Sequence, residues 1–198
     1  MSYNIVRILE WIHHIPLLRN DVNHNLWNKC DKCDPLGNFR SMFSFMEVPD
    51  QKDECSSIVP GILYLSGYLP ANNIEMLAEL SITHIVRIGD NDDFAVYKEY
   101  DHIEYKIINI EDSVRSHFTP EILDDAIDFI RSATSPVLIH CRAGISRSAT
   151  VAMAYLMVVK KMTYREARNF VQAKRPCASP NTTFLKDLRE YESKIIPS

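Results

Sequence analysis

Residues 137–148 read VLIHCRAGISRS, and this segment is the most informative part of the sequence about the fold. Residues 136–140 are largely apolar toward both faces, which is typical of a short strand buried in the middle of a sheet. Residues 148–160 are strongly apolar and predict a buried helix. We therefore expect a tight loop that joins a central strand to a buried helix.

The loop between this strand and this helix has the features of an anion-binding site. The backbone amides of a tight loop and the N-terminus of a helix, which carries about half a positive charge, can converge on one anion. Gly144 permits a turn that a β-carbon hinders, and Arg147 has a planar fork that binds two oxygens of one phosphate. The candidate phosphate ligands are Arg142, Ala143, Gly144, Ile145, Ser146 and Arg147.

Cys141 directly follows the strand and stands at the focus of this positive field. Loops of this kind lower the pKa of a cysteine from about 8.5 to about 3.5–7.5, so we expect a thiolate nucleophile that phosphate can reach. We expect His140 to hold the loop by hydrogen bonds and Ser148 to donate one to the sulfur. Each residue alone more often has a structural role, and only the combination at this spacing predicts catalysis.

Composition and charge limit the classes of protein that remain. The chain has 198 residues, of which 46% are hydrophobic and 24% charged, which suits one domain with an appendage. A net charge of −4 is too acidic for a general nucleic-acid binder. No apolar run approaches the roughly 20 residues of a membrane helix, so neither nucleic acid nor membrane is an expected partner. Five cysteines, an odd number, predict a reducing location in the cytoplasm, with the nucleus as a second compartment.

The alternation of apolar and turn-forming segments predicts the fold class. Strands are expected at 62–65, 83–86, 102–110 and 136–140, and helices at 70–80, 120–133, 148–160, 163–174 and 183–195. This pattern predicts an α/β fold with a central mixed, mostly parallel sheet flanked by helices. We expect the compact domain to span residues 58–198. Residues 1–57 are expected to form an irregular extension with an amphipathic helix at 4–18, which is a candidate homodimer surface.

The pattern His-Cys-x5-Arg-Ser from His140 to Ser148 resembles the signature of the cysteine-dependent protein tyrosine phosphatases, and the chain is most similar to the dual-specificity phosphatases. Further similarity at 60–67, 149–157 and 175–184 extends over about two thirds of the chain. The resemblance implies a catalytic domain that hydrolyses phosphotyrosine and phosphoserine or phosphothreonine in proteins. It implies a cysteinyl-phosphate intermediate and no cofactor.

The resemblance also implies roles for residues outside the loop. It places the general acid on Asp112, with Asp90, Asp92, Asp93 and Glu111 as the other candidates. It gives Asn181 the role of supporting the phosphate loop, a role that can coexist with capping the last helix. Arg142 and Arg175 are candidates for a second phosphate or for acidic substrate residues.

Several alternatives remain open at this point. The same loop could serve an RNA 5′-triphosphatase or a phosphoinositide phosphatase, or a pseudophosphatase that binds phosphoproteins without turnover. His24, Cys30 and Cys33 make half of a zinc site, but no second pair follows at a suitable distance, so no metal is expected. Cys177 could trap an oxidised Cys141 only if the two lie close together.

Overall fold

The computed structural model of the chain describes residues 54–90, 93 and 96–195. Its five strands form one sheet in the order β1-β2-β5-β3-β4. The β1–β2 pair is antiparallel and the other three pairs are parallel, so the predicted mixed, mostly parallel sheet is confirmed. The strands are β1 (Ser56–Val59), β2 (Leu63–Ser66), β3 (His84–Gly89), β4 (Glu104–Asn109) and β5 (Val137–His140).

Six helices of the described ranges flank this sheet. Their starts follow the sequence signals: Pro120 occupies the first turn after the N-cap Thr119, and Thr163 and Glu166 form the predicted capping box. The helices are α1 (Tyr68–Ala71), α2 (Ile74–Glu79), α3 (Pro120–Ser132), α4 (Arg147–Val159), α5 (Tyr164–Lys174) and α6 (Thr182–Ile195).

Two local predictions were wrong. The single helix expected at 70–80 is broken into α1 and α2, because the Asn73 side chain accepts a hydrogen bond from the Met76 amide and starts a new helix. Asparagine often competes for backbone hydrogen bonds in this way. The sequence pattern predicts an irregular extension up to residue 57, but strand β1 begins at Ser56 and lies across the predicted boundary between residues 57 and 58.

Strand β5 lies in the middle of the sheet and is buried on both faces. Val137 and Ile139 contribute to the larger apolar core, whereas Leu138 faces the smaller core on the other side. Alternation along a strand produces this division. Every residue of α4 from 147 to 157 is buried, and the apolar ones among them belong to the larger core. Both ends of the loop that joins β5 to α4 are therefore fixed by packing.

Some predictions lie outside the described residues. These are the helix at 4–18 with its homodimer surface, the half zinc site of His24, Cys30 and Cys33, and the acid candidate Asp92. Within the described ranges, no helix has the length and apolar character that crossing a membrane requires. The same residues contain no group of three or more His, Cys, Asp or Glu side chains that could hold a metal ion.

Candidate active site

The carbonyl groups of five consecutive loop residues, 142–146, accept hydrogen bonds from groups that lie outside the loop. The amides of Tyr68, Ser179 and Thr150 donate to the carbonyls of residues 142, 145 and 146 at 3.1, 2.8 and 3.0 Å. The Arg175 guanidinium donates to the carbonyls of Gly144 and Ala143 at 2.7 and 3.3 Å. The acceptors of the loop are therefore all engaged on its outer side.

The orientation of these carbonyls determines where the loop amides point. In a trans peptide unit the C=O and the N–H point in opposite directions, so the amides of residues 143–147 face the inside of the loop. Helix α4 begins at Arg147, and its N-terminus adds positive potential at the same place. The described backbone thus forms the anion cradle that the sequence predicts.

Gly144 is the one residue of the loop at which a side chain cannot be accommodated. Its φ is +66°, and a Cβ atom there would lie 2.5 Å from the carbonyl carbon and oxygen of Ser66 and 2.6 Å from the Gly67 nitrogen. These atoms are backbone at the end of β2 and cannot rotate away. The glycine therefore allows the loop to lie directly against the sheet.

Arg175 supports the loop from behind, and its predicted role in binding a second phosphate is wrong. The residue is 0% exposed, so its guanidinium cannot meet a substrate. Besides the two loop carbonyls it donates to the carbonyl of Glu54 at 2.9 Å and to Oγ of Ser56 at 3.1 Å. Burial of a charged group requires such partners, and here they tie the loop to the start of β1.

Cys141 lies at the floor of the loop, with Sγ 3.2 Å from Oγ of Ser148. The residue is 1% exposed. A nucleophilic sulfur has to be reached by its substrate, and this low exposure means that almost none of the residue's surface is open to solvent here. Ser148 is in place to donate a hydrogen bond to the sulfur, as the sequence predicts.

His140 is a buried, neutral side chain beneath the loop. Burial, together with the nearby Arg87 guanidinium, lowers the pKa of His140 to about 3, against a smaller opposite effect of its hydrogen bond to the backbone of Cys141. Its ring packs edge-on against Tyr97 at a centroid distance of 4.8 Å. The residue therefore carries no charge at neutral pH, and its Nδ1 is buried without a hydrogen-bond partner among the described residues.

Arg147 is the buried cation of the site. Although burial disfavours its charge, the pKa of Arg147 is raised, because the negative groups of Cys141, Asp93 and Asp112 surround it. Nη1 donates to Oδ2 of Asp93 at 2.5 Å and to the carbonyl of Ile110 at 3.3 Å. Nε is buried and has no hydrogen-bond partner among the described residues.

Asp112 stands at the edge of the site with its two oxygens in different surroundings. Oδ1 accepts hydrogen bonds from Oγ of Ser146 at 2.8 Å and from Nδ2 of Asn181 at 3.0 Å. Oδ2 lies 3.8 Å from Nε of Arg147. Because Oδ1 is held by two donors, Oδ2 is the oxygen that faces Arg147 and can exchange a proton there.

The other acid candidates are placed differently. Asp93 is 2% exposed and paired with arginines, Glu111 is exposed, and Asp90 accepts the Asp93 amide at 3.1 Å. Among the described candidates, only Asp112 combines partial exposure with a position at the mouth of the loop. Its side chain is 35% exposed.

Asn181 joins the loop that carries Asp112 to the phosphate loop. Its Oδ1 accepts a hydrogen bond from the backbone amide of Phe184 at 3.0 Å, in the first turn of α6. The backbone amide of Asn181 donates to Oγ of Ser146 at 3.2 Å. The two roles considered from the sequence, supporting a loop and capping a helix, are therefore combined in one residue. Ser146, expected only as a phosphate ligand, also positions Asp112.

A comparison with protein families identifies the chain. The model of the dual specificity phosphatase catalytic domain matches residues 63–194. The chain belongs to the dual specificity phosphatase family. This assignment agrees with the sequence resemblance and with the α/β fold.

Curated relatives and solved structures of this family are similar to most of the described domain. Human dual specificity protein phosphatase 5 is 41% identical over 69% of this chain and 35% of its own length. A probable rhodanese domain-containing dual specificity protein phosphatase of Dictyostelium discoideum is 39% identical over 71% of this chain and 29% of its own length. The chain thus spans about a third of these relatives. The human tyrosine phosphatase-like serine/threonine/tyrosine-interacting protein superposes with a TM-score of 0.66 at 33% identity, over 72% of this chain and 97% of that one.

Substituting Gly144→Ala tests the contact between the loop and β2. The added Cβ collides with backbone atoms, so we expect kcat/KM to fall by at least about 100-fold, as displacements of about 1 Å do in active sites. The matched control is Gly61→Ala, which shares the positive φ, +70°, but has no atom within 4 Å of the added Cβ. We expect it to cost only about 1–2 kcal/mol of stability. Equal kcat/KM values of the two variants would show that the close contact between Gly144 and β2 does not shape the site.

The neutral state of His140 predicts an acid-sensitive fold. The folded protein keeps this group neutral down to about pH 3, whereas the unfolded chain takes up the proton near pH 6.5. Unfolding therefore binds a proton between these values, and stability falls as the pH is lowered. We expect a loss of about 2 kcal/mol between pH 7 and pH 5.

Urea unfolding at the two pH values measures this loss. The variant His140→Phe retains a ring of similar size and should lose this part of the pH dependence. The control variant His102→Asn, at an exposed histidine, should retain it. The same loss in His140→Phe as in the wild type would show that another group is responsible.

Proposed function

We propose that the chain is a protein phosphatase that hydrolyses phosphotyrosine and phosphoserine or phosphothreonine through a cysteinyl-phosphate intermediate. The observation that carries the proposal is the set of five outward-facing carbonyls around Cys141, which turns the loop amides toward one anion. Membership of the dual specificity phosphatase family supports the same reaction.

The first step transfers the phosphoryl group to the enzyme. Sγ of Cys141 attacks phosphorus while the loop amides and Arg147 bind the three non-bridging oxygens. The P–S bond forms as the bond from phosphorus to the leaving oxygen breaks. Oδ2 of Asp112 donates its proton to that oxygen, so the product leaves as an alcohol or a phenol.

The second step releases phosphate. Oδ2 of Asp112, now without its proton, takes a proton from a water molecule that attacks phosphorus. The P–S bond breaks and its electron pair returns to sulfur. The hydroxyl of Ser148, 3.2 Å from Sγ, donates a hydrogen bond to the sulfur as it leaves.

The site favours a protein phosphatase over the alternatives considered from the sequence. Ala143, Ile145 and Ser146 add no positive charge to the loop that could receive further phosphates of an inositol lipid. Residues 1–138 together carry a net charge of −11. This negative charge disfavours the binding of an RNA that carries a 5′-triphosphate. Cys141, Arg147 and Asp112 are assembled around one point, which a pseudophosphatase does not require.

We propose that the partner is a phosphorylated protein and that neither nucleic acid nor a membrane is bound. We further propose a cytoplasmic location, with the nucleus as a second compartment. The nucleophile works only as a reduced thiol, and both compartments keep thiols reduced. Cys55, Cys141 and Cys177 are free thiols. Homodimerisation through residues 4–18 stays a prediction.

The variant Cys141→Ser tests the reaction directly. We expect turnover of phosphotyrosine and phosphothreonine peptides to fall by at least about 10⁴-fold, because the nucleophile is lost. Binding of the phosphotyrosine peptide, measured by calorimetry, should persist because the amides and Arg147 remain. The matched control is Cys177→Ser, at a half-buried cysteine between α5 and α6, which should retain activity. Full activity of Cys141→Ser would exclude the mechanism.

The same wild-type preparation is assayed side by side on phosphopeptides, RNA 5′-triphosphate and a phosphoinositide. The proposal predicts that the phosphopeptides are the best substrates, with inhibition by vanadate and no effect of EDTA. A higher kcat/KM for the RNA or for the lipid would assign the site to that substrate instead. Peptide binding without any turnover would indicate a pseudophosphatase.

A further inference from the structure

Asp93 is a buried carboxylate in the connection between β3 and β4. Its side chain is 3% exposed, and its oxygens contact two arginines: Oδ2 lies 2.5 Å from Nη1 of Arg147, and Oδ1 lies 3.2 Å from Nη1 of Arg142. A carboxylate is rarely buried without such partners. Both arginines belong to the phosphate loop, so Asp93 links that loop to a distant segment of the chain.

Nε of Arg147 donates a hydrogen bond to no protein acceptor among the residues that the structure describes. Asp93 and the carbonyl of Ile110 both accept from Nη1. Arginine binds two phosphate oxygens through a pair of neighbouring nitrogens, and the pair Nε and Nη2 lies on the edge away from Nη1. The Oδ2 of Asp112, at 3.8 Å from Nε, is beyond hydrogen-bond distance. This edge is the one suited to phosphate.

The carboxylate of Asp93 does not take the place of a phosphate. A carboxylate that imitated the substrate would accept hydrogen bonds from the loop amides. Among the hydrogen bonds of the described residues, Asp93 accepts from the guanidinium groups of Arg142 and Arg147, and none runs to it from an amide of the loop. It therefore lies beside the cradle, on the far edge of the arginine.

The segment that carries Asp93 is fixed on both sides. Its amide donates to Oδ1 of Asp90 at 3.1 Å. Further along, Nδ2 of Asn72 donates to the carbonyl of Val96 at 2.8 Å, and the Lys98 amide donates to Oδ1 of Asn72 at 2.9 Å. These hydrogen bonds hold the described residues on either side of Asp93.

We infer that Asp93 is a positioning residue for the phosphatase reaction. It holds Nη1 of Arg147 and thereby keeps the edge formed by Nε and Nη2 turned toward the phosphate. The inference rests on the proposed function, since it concerns the arginine that binds substrate. It separates the two carboxylates of the site: Asp112 exchanges the proton, and Asp93 orients the cation.

The variant Asp93→Asn tests this role in the full chain, because it keeps the shape and one acceptor oxygen but removes the charge. We expect kcat/KM for an aryl phosphate to fall by about 10- to 100-fold, and the inhibition constant of orthovanadate to rise in parallel. Asp93→Glu, which restores the charge, should recover part of the loss. The matched control is Asp101→Asn, an exposed aspartate of the same connection, which should behave as the wild type.

Two results would overturn the inference. Equal kinetics and vanadate inhibition in Asp93→Asn and Asp101→Asn would show that the ion pair is only structural. Faster turnover and tighter vanadate binding in Asp93→Asn would show that Asp93 competes with the substrate. If the wild type had no turnover, the proposed function would fail, but a comparison of vanadate binding by calorimetry would still decide the role of Asp93.

A measurement on the wild type covers the case in which Asp93→Asn does not fold. Nitrogen-15 NMR can follow the guanidinium of Arg147, identified by the loss of its signal in Arg147→Lys. A guanidinium held at Nη1 should rotate slowly about its Cζ–Nη1 bond in the ligand-free protein. Fast rotation would overturn the inference.

Discussion

The outward orientation of the loop carbonyls is the constraint on which the rest of the site depends. A single carbonyl turned inward would place a negative dipole where phosphate binds and would remove one amide from the cradle. The groups that hold these carbonyls come from the start of α1, from α4 and from the segment after α5, so the loop is shaped by the fold around it. Arg175 contributes most, since one buried guanidinium holds two loop carbonyls.

The charges of the site are divided between buried and partly exposed positions. Arg147 and Asp93 are both almost fully buried and form an ion pair. Removing one partner of such a pair leaves the other charge buried and costs about 3–5 kcal/mol of stability. Asp112 is more exposed and is held at one oxygen by Ser146 and Asn181. Two carboxylates of the same chemistry therefore serve different purposes because their surroundings differ.

Much of the fold and of the site follows from local sequence signals. The apolar run before Cys141, the alternation of strands and helices, and the capping box at Thr163 all act within a few residues, and the structure contains each of them. The ion pair between Asp93 and Arg147 and the burial of Arg175 join residues far apart in sequence, so they depend on the topology. The sequence indicates Asp93 only as a candidate acid, because nothing near it in the sequence indicates its partner.

Detection of the cysteinyl-phosphate on Cys141 tests the proposed mechanism. In the variant Asp112→Ala, an aryl phosphate with a good leaving group should still phosphorylate the enzyme, whereas attack by water on the intermediate lacks its base and becomes slow. Rapid denaturation at neutral pH followed by peptide mass spectrometry should find one phosphoryl group on the peptide that contains Cys141, and none in the double variant with Cys141→Ser. Release of product with this peptide unmodified, or a phosphoryl group on another residue, would contradict the account.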